Sequence, residues 1–360
     1  MILKIYQKYL IKELISKILQ VTFIFFVLGF IMGILEELSF FSGLDVSYYY
    51  PFFLVFLNLP SLIYELFPFI ILLSVQLLMM KIIDNGELIT FKNNGLSNFK
   101  IIKIISSTSF IAGLLIIIIF YNFSAILKFK YLDIKKNYTK DDKYLATITE
   151  NGLWIKDQVG ENINFINAKK IGINTLIDVE IVQLDNNFNY INNIKSDEVF
   201  IENDLWIIKN ANLINDDNSS KFVESLKFDS NFNYEKINNL YSNLSSITMW
   251  GLLDLKKDYN LVNYSTVEIE YHLQKIFSYP VFLTIMSILS LVLMMNIKFQ
   301  KSKIAYIVLG ILLSVTIYYI NYFFGIIGKN ERMPLLVALW MPLIILSIIS
   351  MTGLIKINEK

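Results

Sequence analysis

The sequence contains no cysteine, one histidine and one arginine. Without cysteine there can be no disulfide, no thiolate nucleophile and no zinc–cysteine site, so any domain outside a membrane must stand on its core alone. The one histidine, His272, lies in a helical lead-in to an apolar run. Acid–base catalysis needs a positioned constellation, and no partner for His272 is identifiable in the sequence. Arg332 is the one arginine among 32 basic residues, and lysine and asparagine dominate. That compositional bias makes individual lysines weak signals. The formal charge of +1 gives no reason to expect nucleic acid as a partner. Gly-x-x-x-x-Gly-Lys-Ser/Thr, His-Glu-x-x-His and Gly-x-Ser-x-Gly are all missing, which leaves no P-loop, zincin or nucleophile-elbow signature. No catalytic residue, metal site or bound cofactor is expected, and the chain reads as a non-enzyme.

What is present is apolar sequence: 55% of 360 residues are hydrophobic, with 28 Phe and 21 Tyr, gathered in blocks. An amphipathic lead-in over 1–17 sets Ile2, Ile5 and Tyr9 on a different face from Lys4, Lys8 and Lys12. No Ala-x-Ala-like cleavage site follows, so an uncleaved first span is expected at 15–36. Within it, Gly29-x-x-x-Gly33 is a spacing that lets another helix approach closely. The apolar stretch 51–80 is too long for one upright span, and Pro51, Pro60 and Pro68 are expected to break it. Asn58, Ser61 and Glu65 fall on one helical face of this stretch. Glu65 is costly in lipid. Either it faces a cavity, or the span begins near Leu66 and 51–65 lie at the outer boundary, the reading favoured by span length. Further spans are expected at 100–124, 276–296, 304–327 and 334–355.

Hydropathy collapses between spans three and four. Strand signals occur at 145–149, 152–157, 162–168, 178–184, 199–201, 205–210 and 223–228, separated by Asn, Asp and Gly. An all-β sandwich or jelly roll is expected. The expected organisation is an N-terminal transmembrane half over 1–127, a β domain over 128–262 and a C-terminal transmembrane half over 263–360. This is a polytopic α-helical membrane protein, three spans plus three, with an inserted all-β jelly-roll-like domain. Lysines at 4–17, 81–103, 298–303 and 356–360 cluster on one side of the spans. The positive-inside rule then places both termini in the cytoplasm and the β domain outside.

The polar loop 81–99 is a short cytoplasmic segment flanked on both sides by long apolar runs. Asp84 or Asn85 can cap a short helix whose first turn carries Glu87, at the positive end of the helix dipole, and Gly95 offers a left-handed exit. An element tethered at both ends to spans moves those spans when pushed.

These features resemble the lipopolysaccharide export permeases of the LptF/LptG (YjgP/YjgQ) family, with a closer likeness to LptG. The resemblance covers essentially the whole length. It is carried by the three–insert–three layout and by local runs in order: Leu59-Pro60 with Phe67-Pro68; Gly86-Glu87-Leu88-Ile89 continuing to Asn94-Gly95-Leu96; Asn151-Gly152-Leu153-Trp154-Ile155-Lys156-Asp157; and Phe277-Ser278-Tyr279-Pro280. The resemblance implies an inner-membrane permease that pairs with a second LptF/LptG-type permease and a cytoplasmic LptB-like ABC ATPase dimer. ATP is used by that ATPase, and lipopolysaccharide passes to a periplasmic β-jelly-roll bridge with a single-span LptC-like protein. It assigns ATPase coupling to the loop residues Asn85, Gly86, Glu87, Leu88, Phe91 and Gly95, and partner contacts on spans one and five to Gly29, Gly33, Gly310 and Ser314.

The sequence departs from the family near the outer end of span one. The family holds lipid phosphates there with basic residues, and this chain has Glu36 and Glu37. Lys128, Lys130, Lys135 and Lys136 are the nearest basic cluster and, with Asn58 and Glu65, the candidates for the substrate path. The alternative for the lysines is a solvated stalk anchored among head groups. Two other functions fit the same layout. One is a non-transport envelope scaffold whose β domain binds a periplasmic partner. The other is a sensor, against which stands the small size of every cytoplasmic segment.

Overall fold

The structure is a computed structural model that describes residues 4–43, 46–136, 138, 153–159, 162–171, 174–185, 188–202, 205–215, 219–232, 243–261, 266–295, 303–330 and 332–358. Among the described residues, six helices are long and apolar enough to cross a membrane. The chain divides into two compact units, one of Met1–Tyr131 with Glu270–Lys360 and one of Leu132–Ile269.

The first unit holds α1 (Ile5–Phe40), α2 (Tyr49–Asp84), the short α3 (Glu87–Asn93) and α4 (Asn98–Leu115). A π-helical segment, Ile116–Tyr121, joins α4 to α5 (Asn122–Lys136) as one continuous rod. The unit is completed by α7 (Val267–Met295), α8 (Lys303–Lys329) and α9 (Leu335–Asn358). α1 and α2 have 36 residues each. At 1.5 Å per residue each is about 54 Å long, well beyond the roughly 30 Å of a hydrocarbon core.

α2 runs unbroken through Pro60 and Pro68, which corrects the expected break. The physical reason at Pro68 is visible in α7. Proline has no N–H to give the carbonyl four residues back, here that of Tyr64. The Tyr279 hydroxyl donates to that carbonyl at 2.6 Å. In lipid an orphaned carbonyl must be satisfied by a neighbouring element, and α7 supplies the donor. Thus two of the local runs, Phe67-Pro68 and Tyr279-Pro280, are halves of one contact. Ser290 of α7 adds a second tie, donating to the Leu72 carbonyl at 2.8 Å. On the other side of α7, Gly113 of α4 lies so close that a Cβ there would sit 2.7 Å from the Pro280 Cα. Leu72, Met286, Ile317 and Leu343 from α2, α7, α8 and α9 share one buried cluster.

The second unit holds six strands, β1 (Leu153–Val159), β2 (Asn162–Ile171), β3 (Thr175–Asp185), β4 (Tyr190–Glu202), β5 (Leu205–Asn215) and β6 (Ser220–Asp229), followed by α6 (Met249–Leu261). The strand expected at 145–149 lies outside the described residues. All neighbours pair antiparallel in chain order, so the described strands form a meander. Inward alternation skips a residue along one line across the sheet. Leu176 is followed by Val179, Ser196 by Val199 and Ile208 by Ala211. Asp178 and Asn210 on that line have φ of 56° and 51°, a left-handed conformation that Asx residues tolerate best after glycine.

A flat six-stranded sheet would put its edge strands about 24 Å apart at 4.8 Å per step. Here the edges meet. Asp157 of β1, fully buried, accepts from the Ser230 hydroxyl at 2.7 Å and the Asn231 backbone N–H at 3.0 Å, just past β6. The Trp206 indole donates to the Phe232 carbonyl at 2.7 Å. The sheet is therefore curled around the cluster of Ile166, Ile181, Ile194, Trp206 and Phe228. The acidic end of the Gly152–Asp157 run is the fastening of this roll.

Candidate functional site

The short helix between α2 and α4 is docked on α1. Gly86, not Asp84 or Asn85, is its N-cap, with a left-handed φ of 69° and no side-chain cap bond. The caps expected from sequence are replaced because the chain turns too sharply out of α2 for a residue with a Cβ. Gly95, with φ of 78°, makes the expected left-handed exit. Glu87 is half-buried and turned toward α1. Its carboxylate accepts from the Tyr9 hydroxyl at 2.7 Å and from the Asn85 amide at 2.9 Å. Phe91, one turn on, meets the Tyr9 ring edge-on at 6.4 Å between centroids. Lys81, in the last turn of α2, donates to Glu13 of α1 at 2.7 Å. Leu88 is half-buried, while Ile89, Thr90, Lys92 and Asn93 are exposed on α3.

A second polar group lies at the helix ends remote from α3. Tyr64 of α2 stacks on Tyr279 of α7 at 4.7 Å and meets Tyr121, the last residue of the π segment, at 5.2 Å. The Tyr121 hydroxyl and His272 Nε2 are 3.0 Å apart. The π segment shifts the helical register, and the Asn122 amide satisfies the Ile118 carbonyl at 2.9 Å. Around this aromatic column stand Glu65, Lys128, Lys275 and Lys329, within electrostatic reach of one another or of His272. Lys329 Nζ also lies 5.3 Å from the centre of the Tyr271 ring. Among the described residues, the side chains of Glu65, Lys128 and Lys275 make no ion pair or hydrogen bond. Two lysines, Lys128 and Lys275, thus stand around one carboxylate, with Lys329 within reach of Lys275 and His272, an arrangement suited to an anionic group of high charge.

Sequence reasoning had Glu65 and Lys128 but not Lys275, Lys329 or Tyr121. The available signal was Lys275 itself, an ionisable residue on a helix long and apolar enough to span. Asn58 is half-buried on α2, Lys130 is exposed on α5, and Lys135 is buried in the second unit. The Lys136 side chain lies outside the described residues. Glu37 is buried and accepts from the Tyr131 hydroxyl at 2.7 Å.

Three of the four close-approach positions, Gly29, Gly33 and Gly310, face α2 of the same chain. A Cβ on Gly29 would meet Leu59, one on Gly33 would meet Val55, and one on Gly310 would overlap the Gln76 amide. Gln76 uses that space to donate to the Tyr306 carbonyl of α8 at 2.9 Å. Ser314 is buried and its hydroxyl donates to the Gly310 carbonyl at 2.7 Å.

A comparison with curated proteins gives no match. The chain does match the family described as lipopolysaccharide export system permease LptF/LptG, over residues 8–356. That match spans nearly the whole chain and includes both transmembrane halves, the loop around α3 and the curled sheet. The chain therefore belongs to the LptF/LptG family of lipopolysaccharide export permeases.

Proposed function

We propose that this chain is one permease of an ATP-driven exporter that lifts lipopolysaccharide out of the inner membrane and passes it to a periplasmic β-jelly-roll bridge. The observation that supports the reading is α3, a short helix tethered between two spans in a sequence without the P-loop pattern. The nucleotide chemistry is borrowed from a cytoplasmic LptB-like ATPase dimer that pushes on α3. A second LptF/LptG-type permease and a single-span LptC-like protein complete the assembly, with both termini of this chain cytoplasmic and the curled sheet periplasmic. Extraction needs such work, because each acyl methylene removed from lipid costs about 0.8 kcal/mol.

The polar group at the outer helix ends receives the head group. Lys128, Lys275 and Lys329 neutralise phosphates that Glu36 and Glu37 cannot. A lipid held there has its head at the level of the interface and its tails along the apolar faces of the spans.

The test is reconstitution. In vesicles containing lipopolysaccharide, the chain with its partner permease and ATPase is expected to hydrolyse ATP and release lipopolysaccharide to an acceptor. The isolated chain is expected to hydrolyse none. Replacing Lys128 and Lys275 together by alanine is expected to lower release at least about tenfold, the loss of two charge-assisted contacts. Binding of nucleotide by the isolated chain, or release independent of ATP, would overturn the proposal.

A further inference from the structure

Glu65 is a carboxylate on a long apolar helix, where charge is costly and is kept for a use. Its surroundings are fixed by aromatic rings. Tyr64, the residue before it, stacks on Tyr279 and accepts that ring's hydroxyl at its backbone carbonyl. Lys275 lies one turn before Tyr279 on α7. Tyr64 also meets Tyr121, and Lys128 lies two turns beyond Tyr121 on the same rod. Both lysines therefore stand from the ring column toward the helix ends remote from α3, and both lie within electrostatic reach of Glu65. Glu65 and Lys275 are exposed on their helices and Lys128 is half-buried. Among the described residues, the Glu65 side chain makes no ion pair or hydrogen bond. Its charge is not spent on holding a neighbour in place.

Lysines alone would take up a phosphate-bearing head group and keep it, because differences in affinity lie chiefly in the off-rate. A transport site must bind well enough to be entered and weakly enough to be left. A fixed carboxylate beside the lysines repels whatever phosphate they hold, and the repulsion grows with the charge of the ligand. We propose that Glu65 is an affinity-lowering residue, a standing negative charge that weakens the hold of Lys128 and Lys275 on the head-group phosphates and so speeds their departure. This rests on the head-group reading above. The alternative is that Glu65 serves the lysines by positioning them for phosphate. The two differ in sign: loss of the carboxylate tightens binding in the first and weakens it in the second.

The test is a titration of the full chain in phosphatidylcholine nanodiscs. The probes are the lipid A moiety of lipopolysaccharide with two phosphates and the same moiety with one. Glu65→Gln and Glu65→Ala are each expected to bind the two-phosphate form at least about fivefold more tightly than the unaltered chain, with a smaller gain for the one-phosphate form. Glu65→Asp keeps the charge and is expected to bind within about twofold of the unaltered chain. In the complete complex, in vesicles containing lipopolysaccharide, Glu65→Gln is expected to slow release at least about threefold although it binds more tightly. Damage to the fold would instead lower binding and release together.

Neutral variants that bind no more tightly than the unaltered chain, or that gain equally for both forms of the lipid, overturn the proposal, as does release that is unchanged or faster. Binding that falls with Lys128→Ala and Lys275→Ala but is indifferent to Glu65 overturns this inference and leaves the head-group reading standing. Binding indifferent to the two lysines overturns both.

Discussion

α2 and α7 are the inner spans of the membrane unit, and α1 and α8 the outer ones. In their most apolar stretches 56% of α2 and 61% of α7 are buried, against 11% of α1 and 17% of α8. The inner pair is joined by polar ties in mid-helix, Tyr279 to the Tyr64 carbonyl and Ser290 to the Leu72 carbonyl. α1 is tied near its two ends, by Tyr9 and Glu13 at one and by Glu37 at the other, and its middle presents Phe23, Ile24, Ile31 and Met32 outward. Packing between spans in lipid comes from small residues, close fit and interhelical hydrogen bonds, since tails are as apolar as leucine. A pair joined in this way is a fixed axle. α1 packs on α2 in its middle through Gly29 and Gly33, with polar ties near its ends, and its opposite face is free to meet lipid or another span.

The contrast can be broken most sharply at Gly113. Valine there must push its side chain into the Pro280 backbone, and the unfolding free energy of the detergent-solubilised chain is expected to fall by about 3 kcal/mol. Tyr279→Phe removes the donor that satisfies the carbonyl freed by Pro68. It is expected to cost about 2 kcal/mol in the same measurement, the penalty of an unsatisfied buried acceptor. If either change were silent, the inner pair would not be the fixed element.

The curled sheet offers a finer version of the same contrast between inside and outside. Asp157 is enclosed, whereas Glu180 stands on the outer side, bonded by the Asn193 amide at 2.6 Å and paired with Lys195 at 3.0 Å. Those two neighbours hold the Glu180 carboxyl below its ordinary value. A carboxylate so depressed adds stability above the unfolded-state pKa, and that stability is lost as pH falls through the folded-state value. Glu180→Gln is therefore expected to lower the melting temperature slightly at pH 7, for a loss under about 1 kcal/mol. Scans of both proteins are expected to converge as pH falls below the ordinary carboxylate value of about 4.3. The smallest effect is expected on the outer spans. Ile31→Ala and Leu312→Ala, both exposed, are expected to change unfolding of the isolated chain by less than about 0.5 kcal/mol.

Much of this architecture was legible because its causes are local. Block hydropathy marks six spans, and alternation with Asn and Asp turns marks most of the strands, while of β4 (Tyr190–Glu202) it marks the last few residues, 199–201. What stayed hidden depends on residues distant in the chain. Pro68 reads as a break until Tyr279, 215 residues from the carbonyl it serves, is known to reach it. Glu87 reads as an acid at the start of a short helix until Tyr9, 78 residues away, is found on it. Lys275 and Lys329 were masked by the abundance of lysine, and only the fold separates them from the rest. The Gly29 and Gly33 spacing marks a close contact from sequence alone, but not the partner, which the structure shows to be α2 of the same chain.

The central claim is that work enters at α3 and reaches lipid through the spans. The most direct test is Glu87→Ala in the complete complex, with ATP hydrolysis and lipopolysaccharide release followed together in one vesicle preparation. Hydrolysis that continues while release stops is the predicted result. Release at the unaltered rate from a fully assembled variant complex would contradict it.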